Sequence, residues 1–284
     1  MPKLILNVSD GRMDRPAERL LIVRLPWPNT VVSGVRIGSE TCSRLLDFIQ
    51  PEQAAWQVRQ IKAAGLQAWF AFPNISESQW PKAVSLLECC TQAGADGIVV
   101  NDFGMLDEAR KAGQTVILGR LFDKRMRDAR TGTAWEQERV LEEPGLFTLE
   151  WRRLCEREKV YAAEMECFGS LAGAPKSLRL WIHAPYILLS CGRLCEFGGI
   201  GAKQENRYRI GQCRRQCARV RSTASAGFLQ GRIDHWQNGL YMMGKKAFLE
   251  EALSVNPELT VLYCENQAGI FKEDGNDSDY VTTE

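Results

Sequence analysis

Histidine is scarce in this chain, which carries only two, His183 and His235, in 284 residues. Neither stands in a His-Glu-x-x-His helix, and no Gly-x-Ser-x-Gly elbow occurs. The common metallopeptidase and serine-hydrolase arrangements therefore have no pattern to rest on. A dyad of His183 with a cysteine stays open, without a motif behind it. An excess of one charge sign is also missing: the formal net charge is +1. That removes any global reason to expect nucleic acid or an anionic membrane as the main partner. Long apolar runs are absent too. Leu4, Ile5 and Leu6 make a short one near the start, without the length or cleavage site of a secretory signal. No stretch reaches the roughly 18 apolar residues of a membrane span. The expectation is a cytoplasmic protein without membrane insertion.

What the chain does have is cysteine, ten of them. In a cytosolic setting that number argues against a disulfide framework and makes metal or cluster ligation the leading question. Some are ordinary packing residues: Cys89 and Cys90 sit in the helical pattern that begins Ala83-Val84-Ser85-Leu86-Leu87. A hydrophobic content of 45% with 25% charged residues is that of a folded globular chain, so disordered and fibrous classes fall away.

From Thr30 onward, short β-branched and apolar runs alternate with amphipathic helical stretches, the pattern of parallel strands joined by crossover helices. Val31 to Ile37, Leu66 to Phe72, Asp96 to Val100 and Thr115 to Leu121 read as strands. Val160 to Cys167 and Leu178 to His183 read the same way. Pro51 to Ala64, Ser76 to Ala93, Gly104 to Ala112 and Thr148 to Lys159 read as helices. Leu4 to Val8 and Leu20 to Val23 bring the strand count to about eight, which a closed barrel needs. The expected fold is an α/β protein, a (β/α)8 TIM-like barrel over residues 1–250 that includes a cysteine-rich region at 190–221. Residues 251–284 are expected to be a C-terminal extension, disordered from Lys272 on.

Polar residues mark the strand ends: Ser39, Glu40, Asn101, Asp102, Arg120, Glu166 and His183. In such a barrel they face the catalytic mouth. For Asn101 and Asp102 helix capping is an equal reading. Glu166 and His183 are candidate acid–base groups, and Arg120 a candidate clamp for an anionic substrate or oxygen donor. A structural hydrogen-bonding role for His183 stands beside the catalytic one.

The sharpest local signal is Ser190-Cys-Gly-Arg-Leu-Cys195 followed by Gly211-Gln-Cys-Arg-Arg-Gln-Cys217, two Cys-x3-Cys pairs with Arg193, Arg214 and Arg215 inside their turns. Thiolates at such spacing converge on one centre, and the arginines favour the ionised form. Structural zinc competes with an iron–sulfur cluster, because both accept four thiolates. Lys203, Arg207, Arg209, Arg219 and Arg221 extend the basic character, with Tyr208 as an aromatic face. Such a stretch suits a solvated, thiolate-stabilising loop or contact with RNA.

Three segments carry a resemblance: Ile37-Gly-Ser-Glu-Thr-Cys-Ser-Arg44, Leu118-Gly-Arg-Leu121 with Asp123-Lys-Arg125, and Gly192-Arg-Leu-Cys195 through Cys217. In these the chain resembles peptidase family U32 (collagenase-like), in particular a short branch similar to the iron–sulfur proteins of oxygen-independent ubiquinone hydroxylation. The resemblance implies a 4Fe-4S cluster held by Cys42, Cys195, Cys213 and Cys217, with Cys191 as an alternative to Cys195. It implies hydroxylation of a small aromatic molecule or an RNA base without molecular oxygen, or a peptidase activity. A homologous partner chain in a heterodimer is implied as well. A zinc- or cluster-stabilised binding subunit without chemistry of its own is the remaining reading.

Overall fold

The computed structural model describes residues 3–8, 31–123, 145–168, 171, 173–192, 195, 197, 213, 215–218, 222–225, 232–244, 246–256 and 258–264. In chain order its strands and helices are β1 (Lys3–Val8), β2 (Val32–Gly38), α1 (Pro51–Ala63), β3 (Gln67–Ala71), α2 (Trp80–Gln92), β4 (Gly97–Val100), α3 (Phe103–Lys111) and β5 (Val116–Leu118). Then come α4 (Leu149–Arg157), β6 (Ala162–Met165), β7 (Arg179–Ala184), β8 (Tyr186–Cys191), β9 (Ser222–Ser225), β10 (Arg232–Trp236), β11 (Gly239–Met243), α5 (Lys246–Val255) and β12 (Thr260–Cys264).

Eight of the strands close into a barrel in the order β1-β12-β7-β6-β5-β4-β3-β2, and every neighbouring pair is parallel. This is the (β/α)8 TIM barrel that the alternation of strand and helix patterns leads one to expect. Both faces of such strands are covered, which is why β4 and β5 are buried along their whole length. The outward faces pack against the helices. In α1, Ala54, Ala55, Val58 and Ile61 form the buried stripe, and Pro51 opens the helix where its missing N–H costs nothing.

The barrel interior follows the two-residue strand period. Ile5, Trp69, Val99, Ile117, Ala162, Trp181 and Leu262 form an apolar inner layer, with Trp181 edge-on to Trp69 at 4.9 Å between centroids. Two residues further along their strands, Asn7, Glu164 and His183 replace that layer with polar groups, and Arg36 joins them from β2. The change occurs toward the C-terminal ends of the strands, the mouth at which barrels of this type place their chemistry.

Two expectations need correction. The eighth strand is β12, which pairs with β1 and β7, whereas Leu20 to Val23 lies outside the described residues. The barrel therefore runs to Cys264, and 250 is not its limit: α5 and β12 are the last helix and strand among the described residues. The segment beyond Cys264, including the tail from Lys272, lies outside the described residues. In addition, β8 to β11 form a second, antiparallel sheet in the order β8-β11-β10-β9, inserted between β7 and β12. Its Tyr186, Leu188 and Tyr241 make a small core, with Trp236 stacked on Tyr241 at 3.6 Å.

Gly38 ends β2 with φ +101°, and a Cβ there would stand 2.3 Å from the Ala71 carbonyl oxygen. Gly38→Ala combines a backbone conformation foreign to L side chains with a clash against β3. It should cost at least about 3 kcal/mol, seen as a lowered urea midpoint with an unchanged slope.

Candidate functional site

The loop after β2 is held at every residue. Ser39 N–H donates to the Ala71 carbonyl at 3.0 Å. Its hydroxyl accepts from Cys42 N–H at 3.2 Å and donates to the Cys42 carbonyl at 2.9 Å. Thr41 Oγ1 meets Gln237 Oε1 at 3.3 Å and the Tyr241 hydroxyl at 3.4 Å, which ties the loop to the second sheet.

Between them Glu40 turns inward to the polar layer. Its carboxylate accepts from both Arg36 and Arg120, the latter at 3.1 Å. Arg36 also binds Glu164 and Asn7. Arg120 grips Glu166 through Nε at 3.0 Å and through Nη2, and donates to the Tyr186 carbonyl at 2.9 Å. Glu166 in turn accepts from Leu188 N–H at 2.9 Å. His183 completes the set, with Nε2 2.8 Å from Glu164. Burial, followed by the charge of Arg120, draws the His183 pKa well below its ordinary value, so the neutral ring donates Nε2–H to the carboxylate.

Burial alone would raise the Glu40 carboxyl, but Arg120 and Arg36 outweigh it and hold the group down to about 2. Glu40, Glu164 and His183 are, among the described residues, the one trio of potential metal-ligand atoms within 4.8 Å of one another. The guanidinium of Arg36 already serves both carboxylates there.

Cys42 points away from this network. Burial pushes its thiol up to about 12, and the charges of Cys195 and Cys217 push in the same direction. The backbone of Leu45 and Arg44 acts in the opposite direction, and Leu45 N–H donates to the Cys42 carbonyl at 3.2 Å. Cys217 is raised to about 11 by burial, then by Cys195 and Cys213, against the pull of Arg215. Arg215 N–H lies 3.4 Å from the Cys213 sulfur, and the Cys195 thiol donates to the Gln237 carbonyl at 3.6 Å. Four thiols from distant parts of the chain thus act on one another electrostatically, although no three of them come within 4.8 Å among the described residues. None of the ten cysteines is joined in a disulfide.

A cavity of about 450 Å³ opens between the end of β8 and the loop that carries Cys42. Thr41 and Ser43, the residues on either side of Cys42, line it, as do Cys191 and Gly192 at the end of β8. Opposite them stand Phe103, Phe122 and Trp151. Phe103 and Trp151 are nearly parallel at 6.2 Å, Phe122 is edge-on to both, and Phe103 is 58% exposed. Asn74, Asn101, Asp102 and Asn238 supply polar atoms, and no cationic side chain is among the described lining residues.

Cys191 lies in the cavity wall, whereas Cys42, Cys195, Cys213 and Cys217 influence one another's ionisation without being gathered as a metal-ligand group among the described residues. Glu166, His183 and Arg120 are together, but sealed below: His183 is 1% and Arg120 3% exposed, and Arg120 spends its donors on Glu40, Glu166 and the Tyr186 carbonyl. Asp102 caps α3 through Met105 N–H at 2.7 Å and binds Ile75 N–H at 2.8 Å. Asn101 bridges the Phe72 carbonyl at 2.8 Å and Leu121 N–H at 3.1 Å. Arg193, Arg214, Lys124, Arg125 and most of the basic stretch, from Lys203 through Arg209 and at Arg219 and Arg221, lie outside the described residues.

Sequence reasoning missed Arg36 and Glu164. Their signal was a charge on the inner face of an apolar strand, two residues before Glu166 in the case of Glu164. The aromatic wall had no such signal, because its three rings come from separate connections.

No family model and no curated protein matches the chain. Among solved structures, a glycerol uptake operon antiterminator-related protein from Thermotoga maritima is similar at TM-score 0.32 and 14% identity, covering 74% of this chain and 89% of the other. The 7,8-dihydropteroate synthase of Vibrio fischeri is similar at TM-score 0.35 and 15% identity, covering 64% of this chain and 72% of the other.

Because the folded Glu40 value lies below the ordinary 4.5, its ionised form contributes fully above about pH 4.5 and loses its contribution as pH falls toward 2. The shift corresponds to about 3 kcal/mol for this fully buried group. Urea titrations should show stability falling over that window in the wild type and a shallower fall in Glu40→Gln.

Proposed function

We propose that the chain holds a 4Fe-4S cluster through Cys42, Cys195, Cys213 and Cys217 and carries out a redox modification of a small aromatic molecule. The observation that carries this reading is the sharing of a wall: Thr41 and Ser43, on either side of Cys42, line the cavity that Phe103, Phe122 and Trp151 enclose. A molecule seated there lies against the loop that presents a ligand.

The donor set suits the group. Four thiolates serve a 4Fe-4S cluster, and zinc, which accepts the same four, is the competing occupant. The Arg215 N–H at Cys213 is the kind of hydrogen bond to sulfur by which a protein sets the potential of such a centre. Thiols raised to about 11 and 12 must lose protons on ligation, so loading is favoured by rising pH.

Bound at these cysteines, a cluster supplies one-electron transfer at the cavity edge. The chain's own residues do the rest. The Phe103, Phe122 and Trp151 rings offer a face for stacking, the amides of Asn74 and Asn238 offer hydrogen bonds, and the absence of a cation among the described lining residues favours an uncharged substrate over a carboxylate or phosphate. The reaction class is oxygen-independent hydroxylation, in which an oxygen-atom donor other than O2 gives its oxygen to a C–H bond, so that the ring gains a hydroxyl and the donor leaves reduced by two electrons. No helix of the described residues is long and apolar enough to cross a membrane, and thiols that are not joined in disulfides suit a reducing cytoplasm. A peptidase would need a base beside its nucleophile. The described cavity lining contains no histidine, and His183 is engaged with Glu164.

Anaerobic purification should yield about four iron and four sulfide per chain, and Cys42→Ala should lose most of both. Zinc without sulfide would overturn the reading. In a deletion strain, metabolite mass spectra should show species lighter by one oxygen, restored by the wild-type chain and not by Cys42→Ala. If the missing oxygen appears on RNA instead, the substrate is a base.

A further inference from the structure

Cys42 comes from the first part of the chain, and its partners from a segment more than a hundred residues later. Something must hold it at the right place and angle. Covalent neighbours alone do not: the 3-10 turn Ser43–Phe48 that follows has no side-chain cap. Gln79 holds the Ser43 carbonyl and Asp47 after Cys42, and on the other side Ser39, Glu40 and Thr41 fix the chain before it.

We propose that Glu40 is a positioning residue for ligation by Cys42, locking the ligand loop to the barrel interior with help from Thr41. This rests on the cluster reading above. Glu40 is the one member of the buried ion network that belongs to a ligand loop. It is anchored by two guanidiniums from different elements, Arg36 in β2 and Arg120 at the turn after β5. Those arginines are themselves held by Glu164 and Glu166 on β6. The anchor is thus tied to elements around β2, β5 and β6, and its displacement would take a hydrogen-bond acceptor from each of two buried guanidiniums. On the other side, the Thr41 hydroxyl meets Gln237 and Tyr241. Gln237 also receives the Cys195 thiol on its carbonyl, so one hairpin tip touches both ligand segments. Loss of such outer partners in metal sites commonly weakens retention of the metal by about 10-fold or more.

The charge of Glu40 has a second effect. It lies two residues from Cys42, so its negative charge disfavours arrival of an electron on a cluster bound there. Glu40→Gln keeps the shape and removes the charge. It should speed loss of iron to a chelator by about 10-fold and shift the midpoint potential upward. Thr41→Val removes only the hydroxyl contacts, so it should speed iron loss without a comparable change in potential.

The test uses the full-length, anaerobically loaded protein. Iron release to a chelator and the midpoint potential are measured for the wild type, Glu40→Gln, Thr41→Val and Glu164→Gln. Glu164→Gln is the control, since it removes an equally buried partner of Arg36 that is not on the ligand loop. Faster release in Glu40→Gln and Thr41→Val than in Glu164→Gln, with the raised potential confined to Glu40→Gln, supports the proposal. Equal release from Glu40→Gln and Glu164→Gln, with neither potential moved, overturns it and leaves Glu40 a generic stabilising group. If Glu40→Gln does not fold, Thr41→Val decides, and release unchanged from wild type overturns the loop lock. A wild type without iron and sulfide defeats the cluster reading itself, and this inference with it.

Discussion

Two buried arginines are ion-paired with three buried carboxylates in the mouth of the barrel, and the arrangement around them depends on those pairs. A guanidinium out of water is tolerated only when its donors are met by well-placed acceptors, and removal of one partner leaves an uncompensated charge that costs several kcal/mol. Arg36 and Arg120 meet this condition through Glu40, Glu164 and Glu166, with Asn7 and the Tyr186 carbonyl taking further donors. The participants come from β1, the end of β2, the turn after β5, β6 and β8. Strand ends that would otherwise be free to splay are therefore fixed relative to one another.

The second sheet makes the network possible. Tyr241 lies over the Arg120 guanidinium at 5.8 Å, and Tyr186 and Leu188 give backbone groups to Arg120 and Glu166. With that lid in place, water is kept from the ion pairs and they are strengthened by the low local dielectric. The same lid supplies the hairpin tip that reaches Thr41 and Cys195, and Gly192 and Asn238 of the cavity wall are joined there by hydrogen bonds in both directions. Ion network, thiols and cavity are consequently one construction: the network fixes the strand ends, the strand ends present the loops, and the loops meet the inserted sheet.

Much of this was legible beforehand. Strand and helix periods placed β1 through β7 and α1 through α4 within a few residues, because parallel strands buried on both faces must be continuously apolar and their crossover helices amphipathic. The two Cys-x3-Cys pairs stood out by their spacing, whereas Cys42 was singled out only by the family resemblance. The closing strand Thr260-Val-Leu-Tyr-Cys264 carried a β-branched and aromatic run, yet it was obscured by the inserted sheet, whose short strands interrupt the strand–helix rhythm. Glu166, His183 and Arg120 stood out as polar strand ends. Their pairing did not, since a charge facing a cavity and a charge facing a counter-ion look alike along the chain.

The sequence by itself determined the class of fold and the chemical types at the mouth, because hydrophobic period and residue identity are local properties of a strand or helix. Only the tertiary structure decided which strand closes the barrel, which acids meet which arginines, and that Phe103, Phe122 and Trp151 share a wall with the neighbours of Cys42. Those are contacts between residues tens to hundreds of positions apart. They are fixed by barrel closure and by the cost of leaving a buried charge unpaired, and neither of these is written in any one segment.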